Sequence, residues 1–112
     1  MAAGTYNLII DQGGDFELGL ALTEDGSAVD LTGFSGRSQM RVKPSSASIT
    51  GTFVVSIVNA AEGTMSMTMS NSVTAALTPG KYFWDLEIFT ASDAVVTKLL
   101  TGIVTVKAEV TK

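Results

Sequence analysis

Apolar side chains return at every second position in one segment after another, the period of a β-strand with one dry and one wet face. In residues 15–23, Phe16, Leu18, Leu20 and Leu22 share one face, while Asp15, Glu17, Gly19, Ala21 and Thr23 share the other. Residues 64–70 alternate without a fault, setting Met65, Met67 and Met69 against Thr64, Ser66, Thr68 and Ser70. Residues 82–89 place Tyr82, Trp84, Leu86 and Ile88 on one side and Phe83, Asp85, Glu87 and Phe89 on the other. Further strands are expected over 5–11, 34–43 and 49–59, and from 99 nearly to Lys112. In the first of these longer runs, Phe34, Gly36, Ser38, Met40 and Val42 oppose Ser35, Arg37, Gln39 and Arg41. In the second, Phe53, Val55 and Ile57 point inward; in the last, Val104, Val106, Ala108 and Val110 do.

Turn residues separate these runs. Gln12-Gly13-Gly14, Glu24-Asp25-Gly26-Ser27, Ala60-Ala61-Glu62-Gly63, Pro79-Gly80 and Ala91-Ser92-Asp93 are turn chemistry, and Asp-Gly supplies the positive φ angles of a tight hairpin. Pro44 stops a strand because it cannot donate to a ladder. Gly102, inside the last run, is expected to mark a bulge or bend. Residues 71–77 alone look helical, with Asn71 or Ser72 as cap and Val73 and Leu77 on one face. The expectation is an all-β fold, an antiparallel β-sandwich of seven or eight strands with one short helical turn, forming a single domain over 1–112.

Composition narrows the function. The chain has 112 residues and a formal net charge of -4, with 16% charged residues, no cysteine and no histidine. An acidic surface repels phosphate backbones, so no nucleic-acid partner is expected. The mean hydropathy is positive, yet no run approaches the roughly 20 apolar residues that a spanning helix needs, and no membrane partner is expected. The start carries no basic residues and no signal-type apolar stretch, which points to synthesis in the cytoplasm. So little charge fits either a compact β-protein with a Ser/Thr surface or a subunit whose surface is covered by others.

Chemistry finds little to work with. Without histidine, no serine or threonine has the usual activating base, and no Ser-x-x-Lys spacing replaces it. Asp85 and Glu87 stand side by side on one strand face rather than across a cleft. Asp11, Asp15, Glu17, Glu24 and Asp25 lie near the first turns without a calcium-loop spacing. Residues 12–15 are glycine-rich but join strands rather than opening a helix, so no phosphate cradle is expected. The methionine stripe, at strand spacing, reads as gap-filling core, and Trp84, among Tyr82, Leu86 and Ile88, reads as a core tryptophan. No catalytic residue, cofactor or metal is therefore expected, and the chain is expected not to be an enzyme.

Several runs together resemble a known group of proteins. They are Asn7-Leu8-Ile9-Ile10-Asp11-Gln12-Gly13-Gly14-Asp15-Phe16, Val29-Asp30-Leu31-Thr32-Gly33-Phe34 with Arg37, Met40 and Arg41, residues 77–87, and residues 100–106. The pattern is similar to small β-sandwich proteins encoded among the tail, baseplate and fibre genes of tailed bacteriophages and prophages. It also resembles the immunoglobulin-like N-terminal domain of baseplate upper proteins. The resemblance implies an immunoglobulin-like fold and a virion structural role, an adaptor or connector in the tail or baseplate that helps attach fibres. Its partners would be tail, baseplate or fibre subunits, with multiple copies in a symmetric assembly.

Alternative roles on the same fold are capsid decoration or head-tail completion. A different class, a carbohydrate-binding module for host surfaces, requires exposed Trp84 or Tyr82. For the structural role, the edge Thr5, Tyr6, Asn7, Leu8, Ile9 and Ile10 is the candidate for strand addition to a neighbour's sheet. Arg37 and Arg41, four apart on one strand face, are the candidate polar docking contacts. Removing the first eleven residues is expected to leave the domain folded.

Overall fold

A computed structural model describes residues 4–110. Its strands, in chain order, are β1 (Gly4–Thr5), β2 (Leu8–Asp11), β3 (Phe16–Ala21), β4 (Thr23–Glu24), β5 (Ser27–Ala28), β6 (Ser35–Arg41), β7 (Gly51–Asn59), β8 (Thr64–Met69), β9 (Gly80–Phe89) and β10 (Val96–Lys107). One short helix, α1 (Asn71–Ala75), and a 3-10 turn (Ala91–Asp93) complete the inventory. The all-β expectation holds.

The strands form two layers joined along one side. The main path runs β1-β10-β9-β6-β7-β8-β3, with β2 also on β10, while β4 and β5 make a separate hairpin. β7 belongs to both layers: residues 51–53 pair with β6 and residues 54–59 with β8. All neighbours are antiparallel except β1 and β2, which run parallel to β10. The sandwich is antiparallel as expected apart from this parallel start at β1 and β2.

The connectivity is immunoglobulin-like. β3 pairs with β8 and β8 with β7 in one layer, while β10, β9 and β6 are neighbours in the other. A tyrosine corner supports the same reading, since Tyr82, near the start of β9, donates its hydroxyl to the Thr78 carbonyl four residues upstream.

Inward faces follow the alternation. Met65, Met67 and Met69 on β8 are buried, as are Tyr82, Trp84, Leu86 and Ile88 on β9 and Val104 and Val106 on β10. Phe53 links the layers, with ring centroids 5.5 Å from Phe16 and 6.3 Å from Trp84. Asp25 and Gly26 both take positive φ (53° and 80°), the hairpin geometry that Asp-Gly encodes.

Element ends differ from expectation. Val42, Ala108 and Val110 continue the sequence alternation but are exposed, because β6 stops at Arg41 and β10 at Lys107 and no further strand among the described residues covers them. Residues 111–112 of the expected last strand lie outside the described residues. The N-cap position of α1 is Ser70 rather than Asn71 or Ser72, and its side chain makes no capping bond; the Asn71 amide donates instead to Asp15 (2.8 Å). Val73 faces solvent at 40% exposure while Thr74 turns inward. The Thr74 hydroxyl donates to the Gly14 carbonyl (2.8 Å) and accepts from the Gly13 amide (3.1 Å), which turns that face of the helix onto the residue 12–15 turn.

Gly102 is not the site of the bulge, which falls between Lys98 and Leu100. Its role is close approach: a Cβ there would collide with the Tyr6 carbonyl, so only glycine lets the first strands lie against β10.

Candidate functional site

Two surfaces stand out, the gap between the layers and the outer face of β6, β9 and β10. The side where β7 bridges the layers is closed. On the opposite side β2 pairs only with β10 and β3 only with β8, so among the described residues nothing bridges them.

Consequences of this open seam are visible in burial. The inward side chains of β3, Phe16, Leu18 and Leu20, are only half-buried, although Met65, Met67 and Met69 on the neighbouring β8 are wholly buried. The Leu22 amide donates to Gly63. By antiparallel alternation, Glu17, Gly19 and Ala21 then turn their backbone groups away from β8. Those three residues are exposed, and a side chain at Gly19 would meet nothing within 4 Å. β3 carries one charge and no lysine, proline or bulge, the devices by which lone edges are normally guarded.

The expected edge at residues 5–10 is thus an edge, but not a detachable one. Thr5 and Asn7 are exposed, and Tyr6 and Ile9 are large exposed residues at 46% and 58%. Leu8 and Ile10 instead enter the core at 4% and 1%. The Tyr6 carbonyl accepts the Trp84 indole N–H (2.8 Å), and the Asn7 side chain accepts the Ile103 amide (3.0 Å). These contacts argue against the expectation that the domain folds without its first eleven residues.

Arg37 and Arg41 both face outward, yet neighbours on their own chain already hold them. Arg37 pairs with Glu87, reaches Asp93 at 3.2 Å and lies 4.4 Å from the Phe89 ring centroid. The hydrogen bond to Glu87, with the charges of Glu87 and Asp93, strengthens its hold on the proton. Arg41 donates to the Ser46 carbonyl (2.8 Å) and to Gln39 (3.0 Å). Around Arg41 lies a shallow depression of about 390 Å³ whose lining includes Gln39, Phe83, Asp85, Glu87 and Lys98, with Lys98 3.4 Å from Asp85. Sequence reasoning missed the depression, because its side chains come from three strands whose order is set only by pairing.

The aromatics required for a glycan-binding role are not on any surface. Trp84 is 2% exposed and Tyr82 is buried, each with its polar atom satisfied inside the protein. Among the described residues, no group of three potential metal-ligating side chains gathers. No helix among them is long and apolar enough to cross a membrane.

Comparison with known proteins adds one distant likeness. No family model matches the chain, and no curated protein does. Among solved structures, a family 123 glycoside hydrolase from Clostridium perfringens, described as acting on glycolipid glycans, is similar over 97% of this chain and 24% of its own. The identity is 12% and the TM-score 0.43, and the chain spans about a quarter of that enzyme's length. This finding overturns the expectation that the chain is not an enzyme, which is accordingly dropped. A likeness this weak carries no argument for hydrolysis either.

Proposed function

We propose that the protein is an assembly subunit of a tailed-phage virion, an adaptor or connector in the tail or baseplate that helps seat fibres. The observation supporting this reading is the open seam. An unguarded edge strand with half-buried Phe16, Leu18 and Leu20 behind it suits an extended segment from a neighbour, which would add backbone hydrogen bonds to β3 and cover those side chains. The partners would be tail, baseplate or fibre subunits, and the working location the virion.

The resemblance of residues 7–16, 29–41, 77–87 and 100–106 to phage tail-cluster sandwiches points the same way. Capsid decoration would use the same fold and edge on another surface.

The test is made in particles. A chain carrying Gly19→Lys and Ala21→Lys should fold normally, since both positions are exposed and the site at Gly19 is empty. It should nevertheless fail to enter particles, and those particles should lack fibres. Absence of the wild-type chain from purified particles, or normal incorporation of the double variant, would overturn the reading.

A further inference from the structure

Among the described residues, the cations of this molecule are confined to one of its two layers. Every cation among the described residues lies on or beside β6, β9 and β10: Arg37, Arg41, Lys43, Lys81, Lys98 and Lys107. Arg37 and Lys98 are neutralised by Glu87, Asp93 and Asp85. Arg41, Lys43, Lys81 and Lys107 make no ion pair within the described residues, and strand register gathers them toward the α1 end of that layer. Arg41 stands opposite Phe83, which is 42% exposed, and Lys81 opposite Thr105, whose other neighbour is the exposed Ile9. The result is an apolar centre with a basic border, the make-up of a protein-docking surface.

The other end is its complement. β3 and β7 run toward the β4–β5 hairpin and the turn into β8, which the Leu22–Gly63 and Leu31–Ala60 backbone hydrogen bonds hold together. Glu24, Asp25, Asp30 and Glu62 are all exposed there, with no cation among them. Asp11 faces Lys107 across the β2–β10 register, and Asp15, Glu17 and Glu109 lie around the seam; on the β9 side Asp85 and Glu87 line the depression beside Arg41, with Asp85 held by Lys98 and Glu87 by Arg37.

We infer that this surface receives the acidic hairpin end of a second copy of the same chain, so that copies associate head to tail. Such a contact is heterologous and generates a ring or a stack rather than a closed two-fold dimer. The proposal deepens the assembly reading above and rests on it for its biological setting. The two fail separately: self-association without presence in particles sinks the former reading, and presence in particles without self-association sinks this one.

Sedimentation of the purified chain over a range of concentrations tests it. Wild type should associate at about 0.01 M ionic strength, where the Debye length is about 30 Å, and dissociate at about 1 M, where it is about 3 Å. Glu24→Lys with Glu62→Lys, and separately Lys81→Glu with Lys107→Glu, should each weaken association about tenfold or more while leaving the circular dichroism spectrum unchanged. Mixing the two variants should restore association, because each then offers the end that the other lost. A wild type monomeric at both salts, variants that associate normally, or a mixture that stays monomeric would overturn the proposal. So would a wild type that stays monomeric yet is retained by a polyanion such as heparin, which would reassign the basic surface.

Discussion

Among the described residues, Thr74 is the most heavily hydrogen-bonded side-chain hydroxyl. Fully buried, it holds the residue 12–15 turn to α1 through Gly13 and Gly14, while Gln12 reaches the Leu77 carbonyl (2.9 Å) from the same turn. Thr74→Val keeps the shape and leaves those backbone groups without their partner. It should cost about 1–3 kcal/mol in chemical denaturation, and Thr74→Ser much less. Asp30 offers a second residue-level test. The Thr32 hydroxyl (2.6 Å) and then the Thr32 amide (2.9 Å) donate to its carboxylate and lower its pKa from the ordinary 3.8. A lowered folded-state value means that the stabilisation is present above 3.8 and is lost as the pH falls through the lower folded value. An NMR titration should find Asp30 below that value, and Thr32→Ala, which removes the hydroxyl but keeps the amide donor, should return it part of the way. Trp84 should emit as a buried indole, resist quenching by iodide and ignore added glycans.

At the scale of elements, the first strands decide whether the rest closes. Leu8 and Ile10 fill the core beside Val104 and Val106, so Leu8→Ala or Ile10→Ala should each cost about 2–5 kcal/mol. Removing residues 1–11 should unfold the domain rather than merely expose an edge. Gly102→Ala should push the Tyr6 carbonyl away and free the indole of Trp84, read as faster hydrogen exchange across β1 and β2 with slower effects elsewhere. Which residues alternate inward was legible because strand periodicity is local: Met65, Met67, Met69, Trp84 and Leu86 face where the sequence put them. Where strands stop was not legible. Val42 and Val110 keep the pattern, and only the loss of a neighbouring strand exposes them. The two arginines were assigned to the outer face correctly, but the carboxylates that occupy Arg37 come from β9 and the turn after it, and no spacing along one segment reveals such a pairing.

At the scale of the whole molecule, a single strand, β7, closes one side of the sandwich and no counterpart among the described residues closes the other. That asymmetry could not be read from the sequence, because it depends on β2 choosing β10 rather than β3. It gives the molecule an unguarded backbone edge, while the division of charge gives it two unlike ends. The edge is the central claim, and backbone amide exchange tests it most directly. In the isolated protein, the amides of Glu17, Gly19 and Ala21 should exchange quickly while those of Leu18 and Leu20 are protected, and in assembled particles all five should be protected. Slow exchange of Glu17, Gly19 and Ala21 in the isolated chain, or no added protection on assembly, would contradict the account.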